Sequence, residues 1–352
     1  MKVLYFTKYA QKGASSRMRS FQYFPFFEAQ NIHVTVSPFF NDDYLDNLYG
    51  GKKNFFTIVR AYFKRLFAVF TVFNYDSVVI EYELFPYFPA WFEKMYRIFG
   101  VRYIVDYDDA IFHNYNLHPN LLLRKLFGNK IAKVMQYSNT VVAGNKYLAD
   151  YARKSGAHHT VIIPTVIDLA NYRAKDSYKT EKFTVGWIGS PSTYHYVEKI
   201  KEELITFATK NNAEIIVIGV YPTERIELPF RFIPWSSKTE KEWLCTFDVG
   251  LMPLVDTPWS RGKCAFKLIQ YMASGVPVIA SPVGMNTEVV TIENGYLAAE
   301  SQDWLHFLQV YFENEKMREE HGIKGRSIIE NGYTLQGTSK KWLNLLISIN
   351  DI

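Results

Sequence analysis

The chain has 352 residues, 40 Lys+Arg against 35 Asp+Glu, and 59 aromatic side chains; 48% apolar content with 21% charge excludes a disordered chain. At roughly 100–200 residues per domain the length fits two domains, and Cys245 and Cys264 are too few for a disulfide framework, which favours a reducing compartment. Apolar runs fall short of the ~20 residues a membrane span needs, and Met1 leads straight into 2–7 without signal-peptide features, so a cytoplasmic location is expected.

In chain order, strands are expected over 2–7, 33–39, 76–83, 102–105, 140–143 and 160–164, with helices over 16–30, 54–73, 90–99 and 120–135. Residues 164–181 are polar and lack periodicity, as a connection between domains does. A second series of strands is expected over 183–189, 214–219, 232–235, 249–253 and 278–281, closed by helices over 304–312, 315–330 and 335–349. Alternation at this spacing predicts α/β architecture with doubly wound parallel sheets. The expected organisation is a domain over 1–165, a linker over 166–181, a domain over 182–334, and a C-terminal helix over 335–352 packing back on the first domain. Ligands of such sheets bind outside the carboxyl ends of the strands.

Charge and aromatics are unevenly shared. Residues 1–150 hold 18 basic and 12 acidic side chains and 35 aromatics; residues 151–352 hold 22, 23 and 24. Segment 52–73 places Phe55, Val59, Tyr62, Leu66 and Phe70 near one helical face, with Lys53, Arg60, Lys64 and Arg65 at polar positions. Segments 85–99 and 121–133 repeat the mixture. Such helices either face the sheet or lie in an anionic membrane interface; the excess of aromatics and positive charge favours peripheral contact with an anionic membrane. No recognised nucleic-acid-binding motif accompanies the charge.

Several clusters carry chemistry. Strand 249–253 leads into Arg261, Gly262 and Lys263, and a helix opening near Ala265 carries Lys267 in its first turn. Cations beside a positive helix end conflict electrostatically unless an anion such as a diphosphate lies there; otherwise they are solvated surface lysines. Gly284, followed by Met285 and Asn286, permits close backbone approach or a simple turn. In 8–19, Gly13 precedes a helix start suited to a phosphate, and Arg17 faces the ligand or solvent. Asp106, Asp108 and Asp109 crowd three carboxylates into four residues, a cost tolerated for a proton, a cation or a hydroxylated ligand, unless one merely caps the following segment. Glu83 is a further candidate. His113 and His118 lack metal-ligand spacing.

The runs Phe247–Leu254, Gly262-Lys263 through Lys267, Gln270 and Gly275 to Pro277, and Ser281 through Gly284, Asn286 and Glu288 resemble the donor-binding region of glycosyltransferase family 4. Weaker similarity covers 14–19, 142–145 and 163–168. The resemblance implies the GT-B fold, two Rossmann-like domains facing across a cleft. It also implies a retaining transferase with a sugar-nucleotide donor as co-substrate, no metal and no other cofactor. On that match Arg261, Lys263 and Lys267 neutralise the diphosphate, Gly189 and Ser190 face it from the other side, and Trp235 stands near the nucleobase or in the core. Gln270 occupies the place of the second Glu of the family's E-x7-E motif, which contacts the ribose, and the first Glu falls at Gly262. Where the family often has a His-Asp pair, Asp108 or Asp109 replaces the histidine, and one of them would bind a sugar hydroxyl or accept the acceptor's proton. The implied acceptor is a glycan, lipid-linked at the inner face of the cell membrane, in surface-polysaccharide assembly. A sugar-nucleotide epimerase of the same fold and a non-catalytic nucleotide-sugar-binding subunit are the rival readings.

Overall fold

The structure, a computed structural model, describes residues 1–49, 55–221 and 223–349. Two compact units emerge: Met1–Thr165 with Arg261–Cys264 and Leu335–Ile352, and Val166–Ser260 with Ala265–Thr334.

In the first unit, among the described residues, β1 (Lys2–Tyr9), β2 (His33–Phe40), β3 (Ser77–Glu81), β4 (Tyr103–Tyr107), β5 (Thr140–Ala143) and β6 (Thr160–Ile162) form one sheet. The order is β2-β1-β3-β4-β5-β6, every neighbouring pair parallel. β3, β4 and β5 are buried on both faces, which is why they read as continuous apolar runs rather than alternations. Strand order reverses between β1 and β3, so the crevice beyond their carboxyl ends is the natural ligand position.

The helix expected over 16–30 is three pieces, Ala14–Arg19, a 3-10 turn at Phe21–Tyr23, and Phe24–Glu28. Pro25, lacking an N–H, opens the last piece instead of continuing the first. The helix expected over 120–135 divides into Leu121–Phe127 and Lys130–Tyr137. Phe55–Ala68 is helical; Lys53 and Asn54 lie outside the described residues. The closing helix Leu335–Ser348 belongs to this unit, its Trp342 ring 6.0 Å from that of Tyr23 and Thr338 Oγ1 3.0 Å from the Tyr23 hydroxyl.

The second unit's sheet contains, among the described residues, β7 (Thr184–Ile188), β8 (Glu214–Ile218), β9 (Arg225–Glu227), β10 (Phe230–Ile233), β11 (Val249–Met252), β12 (Val278–Ala280) and β13 (Gly295–Leu297). Its order is β13-β12-β11-β7-β8-β10-β9; only β9, against β10, runs antiparallel. Setting β9 aside, the parallel strands follow the dinucleotide-fold order with its switch point between β7 and β11. β9 and β13, each of three residues, are additions to the strands expected from the sequence. Gly186 sits mid-strand because a Cβ there would lie 2.0 Å from the Phe247 ring. The segment 166–181 lacks periodicity yet is anchored in this unit: Tyr172 and Tyr178 are buried, Ile167 bridges Thr334, and Arg318 donates to the Tyr178 carbonyl at 2.8 Å.

Candidate functional site

In the first unit the carboxyl ends of β1, β3 and β4 gather five acids, each with an identified partner. Asp106, the last but one residue of β4, receives a two-point hydrogen bond from Arg19, Nε to Oδ2 at 2.9 Å and Nη2 to Oδ1 at 2.5 Å. Burial raises Asp106 and opposes the Arg19 cation, while the pairing favours both charges; Arg19 is held above its ordinary value. Glu81 accepts from Ser16 Oγ and Ser20 Oγ, each at 2.5 Å, and from the Lys8 amide at 2.8 Å. Burial nevertheless pushes Glu81 up to about 7. Asp108 accepts from Ser15 Oγ at 2.7 Å and from the Tyr82 hydroxyl. Tyr82 itself stands at φ 63°, a left-handed conformation that directs the backbone around the end of β3. Glu83 pairs with Lys130 and accepts from Tyr115, so it is bound into the wall of the unit.

Asp109 has a different environment. Burial raises it, the Lys263 ammonium at 3.6 Å lowers it, and Asp108 raises it again. Lys263 lies in the loop Arg261–Cys264, which the Asn145 amide holds through the carbonyls of Gly262 at 2.9 Å and Lys263 at 3.1 Å. Cys264 donates to the Asp108 carbonyl at 3.1 Å, and burial pushes its thiol well up, leaving it a packing residue. Gly262 explains the missing first Glu: a Cβ there would stand 2.4 Å from that of Ala110. Arg261 is exposed, and its charge acts on Tyr147.

Gly13 is buried and its missing side chain is claimed by Tyr9, whose Cβ a Cβ on Gly13 would approach to 2.4 Å. Arg17 reaches back to the Lys12 carbonyl at 3.5 Å; the arginine that enters the acid cluster is Arg19, two positions on. Lys8 is the cation that sequence reading missed. Burial disfavours its charge, but Tyr9 and the carboxylates of Glu83, Asp109 and Asp108 raise it, and it lies over the rings of Tyr9 and Tyr82. Nothing in the pattern of β1 distinguishes it from an ordinary strand-end lysine.

In the second unit the expected residues form a chain along the switch point. Lys267, in the first turn of the helix Phe266–Ala273, lies over the Trp187 indole at 5.4 Å. Ala265 reaches the helix start through a left-handed φ of 51°. A Cβ on Gly189 would stand 2.4 Å from Trp187 Cη2 and 2.9 Å from Lys267 Cε, so the glycine makes room for that lysine. Gly219, at φ 95°, backs onto the Gly189 carbonyl and, at 3.4 Å from the Cβ position, Trp235. Ser190 opens the 3-10 turn Pro191–Thr193, its hydroxyl 2.8 Å from that of Ser192.

Trp235 is partly exposed and fixed at its edge, the indole N–H donating to Glu240 at 2.8 Å. The same buried carboxylate accepts from Gln270 Nε2 and from the Tyr172 hydroxyl, each at 2.8 Å. Gln270 therefore spends its amide on Glu240, and the carboxylate at this place comes from the helix Ser237–Leu244. Sequence reading missed Glu240, although Ser236 and Thr239 form the box that starts its helix. Gly284 has φ 54°, Met285 is buried, and the Asn286 amide turns back to the Ser281 carbonyl at 3.0 Å. Among the described residues no group of three or more His, Cys, Asp or Glu is placed to hold a metal ion.

Residues 182–309 match the family model of Glycosyl transferases group 1. No curated protein matches the chain by sequence. Among solved structures, sucrose-phosphate synthase from Thermosynechococcus elongatus superposes with a TM-score of 0.74 at 14% identity, over 99% of each chain. Anabaena Alr3699/HepE in complex with UDP-glucose gives 0.67 at 15% identity, over 99% of this chain and 100% of that one. A glycosyltransferase from Rickettsia africae gives 0.70 at 11%, over 99% and 98%. At these identities the likeness is one of fold, the GT-B fold, along nearly the whole chain. With the domain match, it makes the chain an enzyme of the transferase type.

Proposed function

We propose that the chain transfers a sugar from a nucleotide-diphosphate donor to a glycan acceptor, with retention at the anomeric carbon and without a metal ion, in the manner of glycosyltransferase family 4. The observation that carries this reading is the pairing of Lys267 with Gly189 at the β7–β11 switch point, inside the segment that matches the family model. An ammonium held over an indole at a bare strand end suits the β-phosphate of a leaving nucleoside diphosphate. Trp235, anchored by Glu240, offers a ring for the base. That HepE is described with UDP-glucose supports a donor of this kind. In the first unit, Asp109 with its raised proton affinity is suited to take the acceptor's proton, and Asp108 to hold a sugar hydroxyl. A lipid-linked acceptor, peripheral attachment at the inner membrane face and a role in surface-polysaccharide assembly complete the proposal; the basic, aromatic first half supports them.

The test is nucleotide release and sugar transfer from UDP-, GDP- and dTDP-sugars, with and without EDTA. Turnover with one donor, unaltered by EDTA, is expected, and Lys267→Ala should lower kcat roughly a hundredfold or more. Binding without nucleotide release from any donor would leave a nucleotide-sugar-binding subunit instead.

A further inference from the structure

The helix Phe55–Ala68 buries an arginine and leaves several phenylalanines in solvent. Its buried residues are Ala61 and Arg65, and Arg65 donates to the carbonyls of Thr7 and Ser37, both at 2.9 Å, with its guanidinium 4.7 Å from the Phe6 ring. Of the expected stripe, Val59 and Tyr62 are half-buried, while Phe55 and Phe70 are 71% and 54% exposed; Phe63 and Phe67, outside that stripe, are 59% and 72% exposed. Sequence reading placed Arg65 among the polar positions and Phe70 on the apolar face; the structure exchanges them. The exposed surface continues across neighbouring rings. Phe70 lies 6.3 Å from Phe92, Phe92 6.0 Å from Phe88, and Phe88 5.3 Å from Trp91, while Phe73 lies 6.4 Å from Phe99. Trp91 and Phe99 are about two-thirds exposed, 65% and 66%.

The charge around this surface is mostly positive. Residues 55–75 contain no Asp or Glu, and 84–105 contain only Glu93, which is 1% exposed and accepts from the Leu84 amide; between them Asp76 is exposed at the Phe73–Phe99 end and accepts from the Lys2 amide at 2.7 Å. Arg60, Lys64, Lys94 and Arg97 are all exposed. An apolar ridge of this extent is an interaction surface. A second copy in a two-fold arrangement would set these cations against themselves. Aromatic rings with flanking Lys and Arg that outnumber the one exposed carboxylate, Asp76, suit the headgroup–acyl boundary of an anionic bilayer.

We infer that the ridge formed by Phe63, Phe67, Phe70, Phe73, Trp91 and Phe99 is a monotopic lipid-binding surface, inserted among the acyl chains while Arg60, Lys64, Lys94 and Arg97 engage anionic headgroups. This names the surface for the membrane contact proposed above, but it stands on exposure and charge and does not require the transferase reading.

The experiment is flotation of the full chain with vesicles of phosphatidylglycerol and phosphatidylcholine, and with phosphatidylcholine alone, alongside light scattering without lipid. The wild type should float with the anionic vesicles and remain monomeric without them. Phe63→Ser/Phe67→Ser should weaken flotation by at least about tenfold, the two side chains contributing by burial. Arg60→Glu/Lys64→Glu should weaken it on anionic vesicles at low salt and make the residual binding less dependent on salt. Both variants change exposed side chains, and nucleotide release to water should be unchanged in each. A wild type that fails to float at low salt, a double Phe variant that floats equally well, or a lipid-free dimer that this variant dissociates would overturn the proposal. Lost flotation with intact nucleotide release bears on the ridge alone; flotation without nucleotide release bears on the transferase reading alone.

Discussion

Glu81 ends β3 with three donors around it and almost no access to water, and the balance leaves its proton affinity well above the ordinary value of 4.5, at about 7. A carboxyl raised in the folded state binds its proton there at a pH where the unfolded chain has released it. Its contribution to stability is therefore present below about 4.5 and is lost as pH rises through about 7, at most on the order of 3 kcal/mol. Glu81→Gln should flatten the fall in unfolding free energy over that interval, as measured by urea denaturation at a series of pH values; an identical slope in both proteins would refute the assignment. The crowding of Asp106, Asp108 and Asp109 was legible from spacing, but not its resolution. Arg19, Ser15, Tyr82 and Lys263 reach those carboxylates from other parts of the chain, and no local pattern announces such partners.

Among the elements, most strands were legible because a parallel sheet covered on both faces demands apolar runs of four to eight residues. Helix faces were less so. The periodicity of Phe55–Ala68 is genuine, yet the side that packs is chosen by Arg65, whose donors meet the carbonyls at the ends of β1 and β2. At the switch point of the second unit the helix Phe266–Ala273 and the end of β7 are fitted through Gly189. Gly189→Ala places a methyl against both Trp187 and Lys267, and one must move. We expect kcat to fall on the order of a hundredfold, as a displacement of about 1 Å can cause, with only a modest change in Tm. Turnover close to wild type would show that the position of Lys267 relative to β7 is immaterial. Gln270 was found by its place in a motif, whereas Glu240 was not, because the carboxylate arrives from a helix 30 positions earlier.

For the whole molecule, the sequence reading identified two α/β halves, and the solved structures share their fold. The expected organisation set the terminal helix back on the first domain, although its amphipathic face alone fits any apolar seat. Here Trp342 is 1% exposed and lies in the first unit with Tyr23. Trp342→Ala should cost about 3–5 kcal/mol. Hydrogen exchange should quicken in β1–β6 and hold its protection in β7–β13; uniform acceleration would mean that the two units unfold as one.

The first unit draws on three separated stretches of chain, the last beginning at Leu335. During synthesis, therefore, its sheet leaves the ribosome early but lacks the helix that covers Tyr23, while the remaining residues take roughly ten to thirty seconds to be added. The second unit, whose residues all precede Leu335, is complete before the first. The half made first is finished last, and over that interval its aromatic seat at Tyr23 stands uncovered.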